Sequence, residues 1–326
     1  MASVQFEDSV VQVPSGSSVL EALISEGHDI PNSCRAGSCQ SCMLQATDGS
    51  IPAASQRGLK STYVEQGMFL ACCCHPEGDL TIQRRGDVAA VAGTVVEKSM
   101  LTDSVLRLRI KAALDYRAGQ YVNLIRPEDG LTRAYSIASV ADKDDYLEFH
   151  IRVYPDGQFS RWAKDTLALG DALNVQGPFG DCFYTPMDQD DSVILAGTGT
   201  GLAPLYGIVY DALRQGHMGS MHLFAGAKTT SDLYLVDELI ALSHKYPTFS
   251  FTPVVMVDGG VMPEGVQVGD INAVIKAQYP KTTGMRAYFC GSETRVKNLR
   301  KQTFLGGASM QSIFCDLFTP AYQSDT

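Results

Sequence analysis

Nine cysteines are spread unevenly along the 326 residues, and six of them fall between Cys34 and Cys74. Cys34, Cys39 and Cys42 stand in C-x4-C-x2-C spacing, and a consecutive run, Cys72, Cys73 and Cys74, follows. This triple with a remote fourth thiolate is the spacing of plant-type [2Fe–2S] sites. Bridging sulfides carry negative charge, so the loop must aim several backbone N–H groups at them, and Gly37 relaxes the backbone where such a turn is needed. Zinc also accepts four thiolates, but structural zinc usually takes paired C-x2–4-C knuckles rather than a triple and a run. Successive side chains on a strand face opposite ways, so one or two of Cys72 to Cys74 can face a cluster. Spacing alone does not choose among them.

Three further constellations could bind phosphates and rings. Gly197, Thr198, Gly199, Thr200 and Gly201 lie between an apolar run at 193–196 and a helical stretch at about 203–215, where a phosphate-cradling turn belongs. Pro204 suits the first helical turn, and strand, loop and helix together make the glycine spacing specific. Cys290 and Gly291 close another predicted strand, at the carboxyl edge where open α/β sheets bind ligands; a buried structural cysteine is the plainer reading. Lys228, Asp232 and Tyr234 follow the next strand and could surround an adenosine, or form a solvated loop.

Upstream, Arg133 offers a guanidinium for phosphate, and Tyr135 a ring to stack on a flavin, with Ser136 next in the strand. His150 and Arg152 lead through Asp156 and Gly157 to Ser160, which can cap a helix containing Trp162 and hold a pyrophosphate at its start. A half-buried strand, a hairpin turn and an ordinary capped helix would explain each alone. Their order along the chain carries the weight.

The elements that must position these residues fall into three segments, bounded at 1–86, 93–186 and 190–326. In the first, 4–13 reads as a hairpin, and Ser17 or Ser18 can cap a helix whose apolar face is Val19, Leu20, Leu23 and Ile24, stopped by Gly27. Strands at 43–46 and 80–83 complete a small α+β domain. After a linker at 84–92, strand-like runs at 94–110 and 121–125, with turns near 127–130, 142–145 and 156–157, predict a small antiparallel barrel. From Ser192 onward strands alternate with helices at 193–196, 221–224, 232–244, 251–257, 271–278 and 286–290, which predicts a parallel sheet covered by helices.

Composition narrows the function. A formal charge of −10 and a pI near 5.0 disfavour nucleic acid, which needs clustered Lys and Arg. The acidity concentrates at the start, with nine acidic against three basic residues from Met1 to Ile82, so a macromolecular partner should present a basic face. No apolar run approaches the roughly 18 residues of a membrane span, and the polar start suggests no leader, which places the protein in the cytoplasm. Cysteines there argue for a cluster rather than for disulfides.

Together these motifs resemble the reductase components of bacterial Rieske aromatic-ring dioxygenases, of the naphthalene and benzoate dioxygenase kind, and those of soluble di-iron hydroxylases. The likeness spans essentially the whole chain. It implies a β-grasp plant-type ferredoxin domain, an antiparallel β-barrel FAD domain and an α/β parallel-sheet nucleotide-binding domain. The family's Leu-Ala-Cys ending maps onto Leu70, Ala71 and Cys72, selecting Cys72 as fourth ligand beside Cys34, Cys39 and Cys42. Its Arg-x-Tyr-Ser motif maps onto Arg133, Tyr135 and Ser136, and its pyrophosphate turn onto Gly157 to Ser160, with His150 and Arg152 on the preceding strand. The glycine loop with Cys290 and Gly291 is similar to the family's nicotinamide site, which makes Cys290 the candidate at the reacting carbon. The ending Cys315-Asp316-Leu317-Phe318-Thr319-Pro320 resembles that of dioxygenase reductases and adds Phe318 to the cofactor contacts. Two departures are Gln40, where a glycine is common, and Ser292-Glu293, where Gly-Pro is frequent.

The resemblance implies a division of labour. Nicotinamide gives two electrons as hydride, a cluster accepts one at a time, and a flavin converts between them. The expected cofactors are FAD, a [2Fe–2S] cluster and NADH. NADH is favoured over NADPH because Lys228 is the only Lys or Arg between Gly226 and His244, whereas a 2′-phosphate usually wants an arginine. With no Rieske-like pair of Cys-x-His motifs and no paired Glu-x-x-His, oxygenation must happen elsewhere. The expected partner is the ferredoxin or oxygenase component of an aromatic-ring dioxygenase, with a di-iron monooxygenase as alternative and a zinc-stabilised redox sensor or binding module as the reading from another class.

Overall fold

The computed structural model describes residues 2–86, 88–186, 190–257 and 265–319. Its contacts divide the chain into two compact units, Met1–Asp87 and Val88–Thr326.

The first unit contains β1 (Ala2–Phe6), β2 (Ser9–Val13), α1 (Val19–Ser25), β3 (Met43–Asp48), α2 (Ser61–Glu65), β4 (Met68–Leu70) and β5 (Leu80–Arg84). The strands form one mixed sheet in the order β2-β1-β5-β3-β4, with β1 and β5 parallel and the other pairs antiparallel. Ser18 caps α1 in a reciprocal box, its hydroxyl accepting from the Glu21 N–H while the Glu21 carboxylate accepts from the Ser18 N–H. Val19, Leu20, Ala22 and Leu23 face the core with Val4, Phe6 and Phe69, and Ile24 turns outward. The helix anchors one end of the cysteine loop and β3 the other.

The second unit holds two sheets. β6 (Ala90–Thr102), β7 (Val105–Ala112), β8 (Tyr121–Ile125), β9 (Thr132–Ser136), β10 (Leu147–Arg152) and β11 (Ala172–Phe179), with the short α3 (Gln158–Arg161), form a six-stranded antiparallel sheet ordered β10-β7-β6-β11-β8-β9. Just beyond β9 the Ala138 N–H donates to the Glu148 carbonyl on β10 at 2.8 Å, drawing the two ends together. The strand expected at 94–110 is a hairpin, because Asp103 and Ser104 turn the chain between β6 and β7. Val95, Leu106, Leu108, Ile110, Phe149 and Ile151 point into the barrel core. Arg107, Arg109, Glu148 and His150 alternate with them onto the other face.

The remaining elements are β12 (Val193–Thr198), α4 (Leu202–Arg214), β13 (Met221–Ala227), α5 (Val236–Lys245), β14 (Phe249–Val255), β15 (Gln267–Val268), α6 (Ile271–Gln278), β16 (Arg286–Ser292), α7 (Glu293–Leu305) and β17 (Ile313–Phe318). All strand pairs are parallel, in the order β15-β14-β13-β12-β16-β17. Such a sheet is buried on both faces, which explains its unbroken apolar runs. Val193 and Leu195 of β12 pack with α4 and α5, whereas Ile194 and Ala196 pack with α6 and α7. The helix expected at 232–244 begins at Val236, after a separate turn over Thr230–Asp232. Strand order reverses at β12, so its carboxyl end opens the crevice where a ligand belongs.

Candidate functional site

The cysteine loop bridges α1 and β3. It adopts left-handed backbone at Arg35 (φ 49°), Gly37 (φ 78°) and Gln40 (φ 58°), a conformation in which glycine avoids the cost of about 1–2 kcal/mol that a side chain meets. The Ala36 and Cys39 N–H groups both donate to Cys34 Sγ, at 3.4 and 3.3 Å. Donors from Ser41, foremost its side chain, hold the Cys39 thiol down to about 6, whereas burial pushes Cys42 up to about 11.

Side-chain contacts join Cys34 with Cys39, Cys42 with Cys72 and Cys72 with Cys73. A tetrahedral iron holding two bridging sulfides has room for two thiolates, so a two-iron cluster takes four, and this group of neighbouring thiols supplies them. Among the described residues, no three Cys, His, Asp or Glu side chains converge as ligands of one ion would. The strand expected at 72–74 is a tight turn over Ala71–Cys73, which keeps Cys72 and Cys73 together with their sulfurs 3.6 Å apart. Cys74 is buried in the core.

In the second unit the carboxyl ends of β12, β13 and β16 face β9, β10 and α3 across a cleft of about 1640 Å³, whose walls include both phosphate-binding candidates. Such a volume exceeds the roughly 300–1,000 Å³ of an ordinary ligand pocket and suits two extended cofactors. From the barrel side come Arg133, Tyr135, Ser136, His150, Arg152, Gly157 and Ser160, and from the sheet side Thr198, Gly199, Thr200, Lys228, Asp232 and Phe318. Gly197, Gly201, Cys290 and Gly291 stand behind this surface. A Cβ on Gly201 would lie 2.3 Å from the Cys290 carbonyl oxygen, and one on Gly291 would lie 2.7 Å from Thr198 Oγ1, so the glycine loop and the end of β16 close on each other through bare backbone. Cys290 is buried with its sulfur 3.7 Å from that of Cys182, and burial pushes its thiol well above the usual range.

Ser160 does not cap α3. Gly157 occupies that position, and Ser160 lies inside the helix with its hydroxyl accepting from the Tyr154 N–H. A side chain at Gly157 would meet the Ser160 hydroxyl at 2.2 Å, which keeps this wall bare. Tyr234, expected near an adenosine, is instead buried behind the cleft, its hydroxyl 3.3 Å from His150 Nδ1.

Residues that sequence reasoning left out complete the walls. Asp316 of β17 lines the cleft and accepts a 2.6 Å hydrogen bond from the Ser136 hydroxyl. Part of its surface faces the cleft, yet protein crowds the rest, and this burial pushes its carboxyl up to about 6. Glu148 accepts from Arg109 at 2.6 Å and contacts His150 at 2.9 Å, with Arg107 at 3.3 Å. Burial opposes its ionisation, but the His150 hydrogen bond and the two guanidiniums outweigh it and hold the carboxyl at about 2. Burial pushes His150 down, toward the neutral ring. Arg295 of α7 reaches the cleft, tied to Asp270 at 2.5 Å. Arg152 pairs with Asp232 at 3.6 Å across the two sheets. Among the described residues no helix is long and apolar enough to cross a membrane.

Three family profiles match the chain: a 2Fe-2S iron-sulfur cluster binding domain over residues 4–77, an oxidoreductase FAD-binding domain over 93–184 and an oxidoreductase NAD-binding domain over 195–301. The reductase subunit of an aromatic O-demethylase from Amycolatopsis sp. is 32% identical, over 95% of this chain and 96% of its own. The ferredoxin–NAD(P)(+) reductase component of the naphthalene 1,2-dioxygenase system of Pseudomonas putida is 30% identical, over 97% and 98%. Among solved structures, an Amycolatopsis cytochrome P450 reductase superposes with a TM-score of 0.68 at 30% identity, covering 98% of this chain and 99% of that one. The matches decide between cluster and zinc, and with them the cofactors are FAD, a [2Fe–2S] cluster and NAD(P)H. The cysteine loop, the cleft at the sheet's reversal point and these full-length likenesses lead to one conclusion: the chain belongs to the family of NAD(P)H-dependent, iron–sulfur flavoprotein reductase components of multicomponent oxygenases.

Proposed function

We propose that the chain takes hydride from NADH onto FAD and passes single electrons through its [2Fe–2S] cluster to the ferredoxin or oxygenase component of an aromatic-ring dioxygenase. The observation that carries the reading is the one cleft in which the Arg133-Tyr135-Ser136 strand faces the Gly197–Gly201 loop, so that a flavin site and a dinucleotide site share a wall. When bound, FAD supplies the conversion from two-electron to one-electron transfer.

The chain's own residues bind and orient. Arg133 supplies positive charge for a phosphate, and Gly157, Gln158 and Ser160 present an unobstructed backbone to a pyrophosphate. Tyr135 stands on the cleft wall with its ring 5.5 Å from Phe159, which fixes it for stacking. Phe318 covers the cleft from the last described strand, and Asp316 holds the Ser136 hydroxyl in a fixed direction. Thr198, Gly199 and Thr200 cradle the dinucleotide, backed by Cys290, whose packing against Gly201 sets the floor beneath the nicotinamide. Cys34, Cys39, Cys42 and Cys72 hold the irons. The domain limits we assign are 1–86, 93–186 and 190–326.

Preference for NADH is inferred from Asp232, a carboxylate on the cleft wall beside Lys228 and paired with Arg152, which would accept from a ribose hydroxyl. The partner assignment leans on Cys315-Asp316-Leu317-Phe318-Thr319-Pro320, of which Pro320 lies outside the described residues. A second reading, a cytochrome P450 as electron acceptor, is favoured by the full-length likeness to the O-demethylase reductase. Reconstitution with purified Rieske, di-iron and P450 terminal components, counting NADH oxidised per product formed, separates them. Coupled turnover with the Rieske system alone supports the first reading, and coupling to either other component overturns it.

A further inference from the structure

The run Cys72-Cys73-Cys74 leaves a thiol beside the cluster loop without a role in the scheme above. Cys74 is accounted for, since it is buried among the core residues of the first unit. Cys73 is different. It is half-buried in the same tight turn as Cys72, and the two sulfurs are 3.6 Å apart. At 3.6 Å the two sulfurs are in contact, so Cys73 Sγ stands within one sulfur diameter of the place that Cys72 would take at the iron.

A second observation places Cys73 on the cluster side of the turn. Gly37, in the middle of the C-x4-C loop, has φ +78°, and a Cβ built on it would come within 3.0 Å of Cys73 Sγ. The sulfur thus lies against the very loop that wraps the cluster, over a position that only a glycine leaves open.

We propose that Cys73 is an alternate ligand for the iron held by Cys42 and Cys72, able to take the place of Cys72 in the coordination sphere; this rests on the assignment of Cys34, Cys39, Cys42 and Cys72 as ligands. In the exchange the Cys73 thiol gives its proton to solvent as its sulfur binds iron, and the Cys72 sulfur leaves and takes up a proton. The iron and sulfide oxidation states do not change. The cluster then survives chemical damage to one exposed-side thiolate, such as oxidation of Cys72.

The test uses the full-length, FAD-loaded protein as Cys72→Ala, Cys72→Ser, Cys73→Ala and Cys72→Ala/Cys73→Ala variants. Iron and acid-labile sulfide per chain are measured together with the EPR spectrum of the dithionite-reduced protein, and flavin content controls for folding of the second unit. Cys72→Ala should keep at least about half of the wild-type iron with shifted g values, Cys73→Ala should match wild type in both, and the double variant should fall below about a tenth. Cys72→Ser should share the shifted spectrum of Cys72→Ala, because a sulfur rather than the serine oxygen fills the site. If Cys72→Ala is as iron-poor as the double variant while Cys73→Ala is normal, Cys73 is no ligand and the proposal fails with Cys72 still assigned. If Cys73→Ala loses iron, or Cys72→Ala is spectroscopically unchanged, the assignment of Cys72 itself is wrong.

Discussion

Replacing Glu148 by glutamine should weaken the second unit far more than replacing Glu97, although both carboxylates reach the same arginine. Arg109 donates to each at 2.6 Å, but the Glu148 side chain is 5% exposed and that of Glu97 41%. Folding holds the Glu148 carboxyl at about 2 against an ordinary 4.5. At about 1.4 kcal/mol per pH unit this amounts to roughly 3 kcal/mol of stability near neutral pH, similar to the roughly 3–5 kcal/mol for breaking a buried ion pair. The glutamine also removes the Glu148 counter-charge from Arg107 and leaves Arg109 only the more exposed Glu97. A surface pair such as Arg109–Glu97 contributes about 0–1 kcal/mol. For a domain of this size 1 kcal/mol moves the melting temperature by about 2–4 °C, so E148Q should melt about 6–12 °C lower and E97Q less than about 4 °C lower. The assay is thermal unfolding with excess FAD, followed by circular dichroism and flavin release. The sign with pH is fixed: a lowered carboxylate contributes fully above its unfolded value near 4.5 and loses that contribution as pH falls toward 2, so the acid-side decline should be shallower in E148Q. Equal shifts in the two variants, or a loss under about 2 °C in E148Q, would refute the idea that this buried carboxylate organises the face.

Three further outcomes follow from the cleft. Gly201→Ala forces a Cβ within 2.3 Å of the Cys290 backbone oxygen, and stopped-flow flavin reduction by NADH should slow at least about tenfold with flavin content unchanged. Asp316 has a carboxyl pushed up to about 6, so it is ionised mainly above that pH, where it accepts from Ser136; the wild-type rate of flavin reduction should fall as pH drops through 6, and Asp316→Asn should remove that limb. Arg295→Ala should raise the KM for NADH several-fold with kcat preserved, since the guanidinium lines the dinucleotide end of the cleft and touches no flavin-side residue among its named partners.

What was legible in the sequence was local. The triple Cys34, Cys39 and Cys42, the strand–glycine–helix passage at Gly197–Gly201 and the capped first helix each depend on neighbours within a dozen residues, so spacing and periodicity reach them. Ser136 and Asp316 are 180 positions apart, and Arg295 on α7 and Asp270, which caps α6, are 25 apart, so only the fold brings them together. The triple cysteine was ambiguous because it was read as a strand, whose alternation splits neighbours, whereas a turn keeps Cys72 and Cys73 side by side.

Strand β10 gives the clearest case of a rule that failed for a functional reason. Leu147, Phe149 and Ile151 alternate with Glu148 and His150, which in an isolated barrel means apolar in and polar toward water. All five are buried. The outward face is covered by aromatic residues of the nucleotide-binding part, with the His150 ring 5.3 Å from Tyr234 and 6.2 Å from Tyr206. A carboxylate under that cover must be neutralised on the spot, and Arg107 and Arg109 on β7 do so for Glu148 from the positions directly opposite His150 and Glu148. The polar stripe is therefore the seam along which the flavin and dinucleotide halves meet. Because His150 lines the cleft while Tyr234 also approaches the Gly199 carbonyl at 3.5 Å, the same seam fixes the glycine loop against the flavin wall. A tight seam is what hydride transfer requires, since a displacement of about 1 Å between reacting groups costs on the order of a hundredfold in rate.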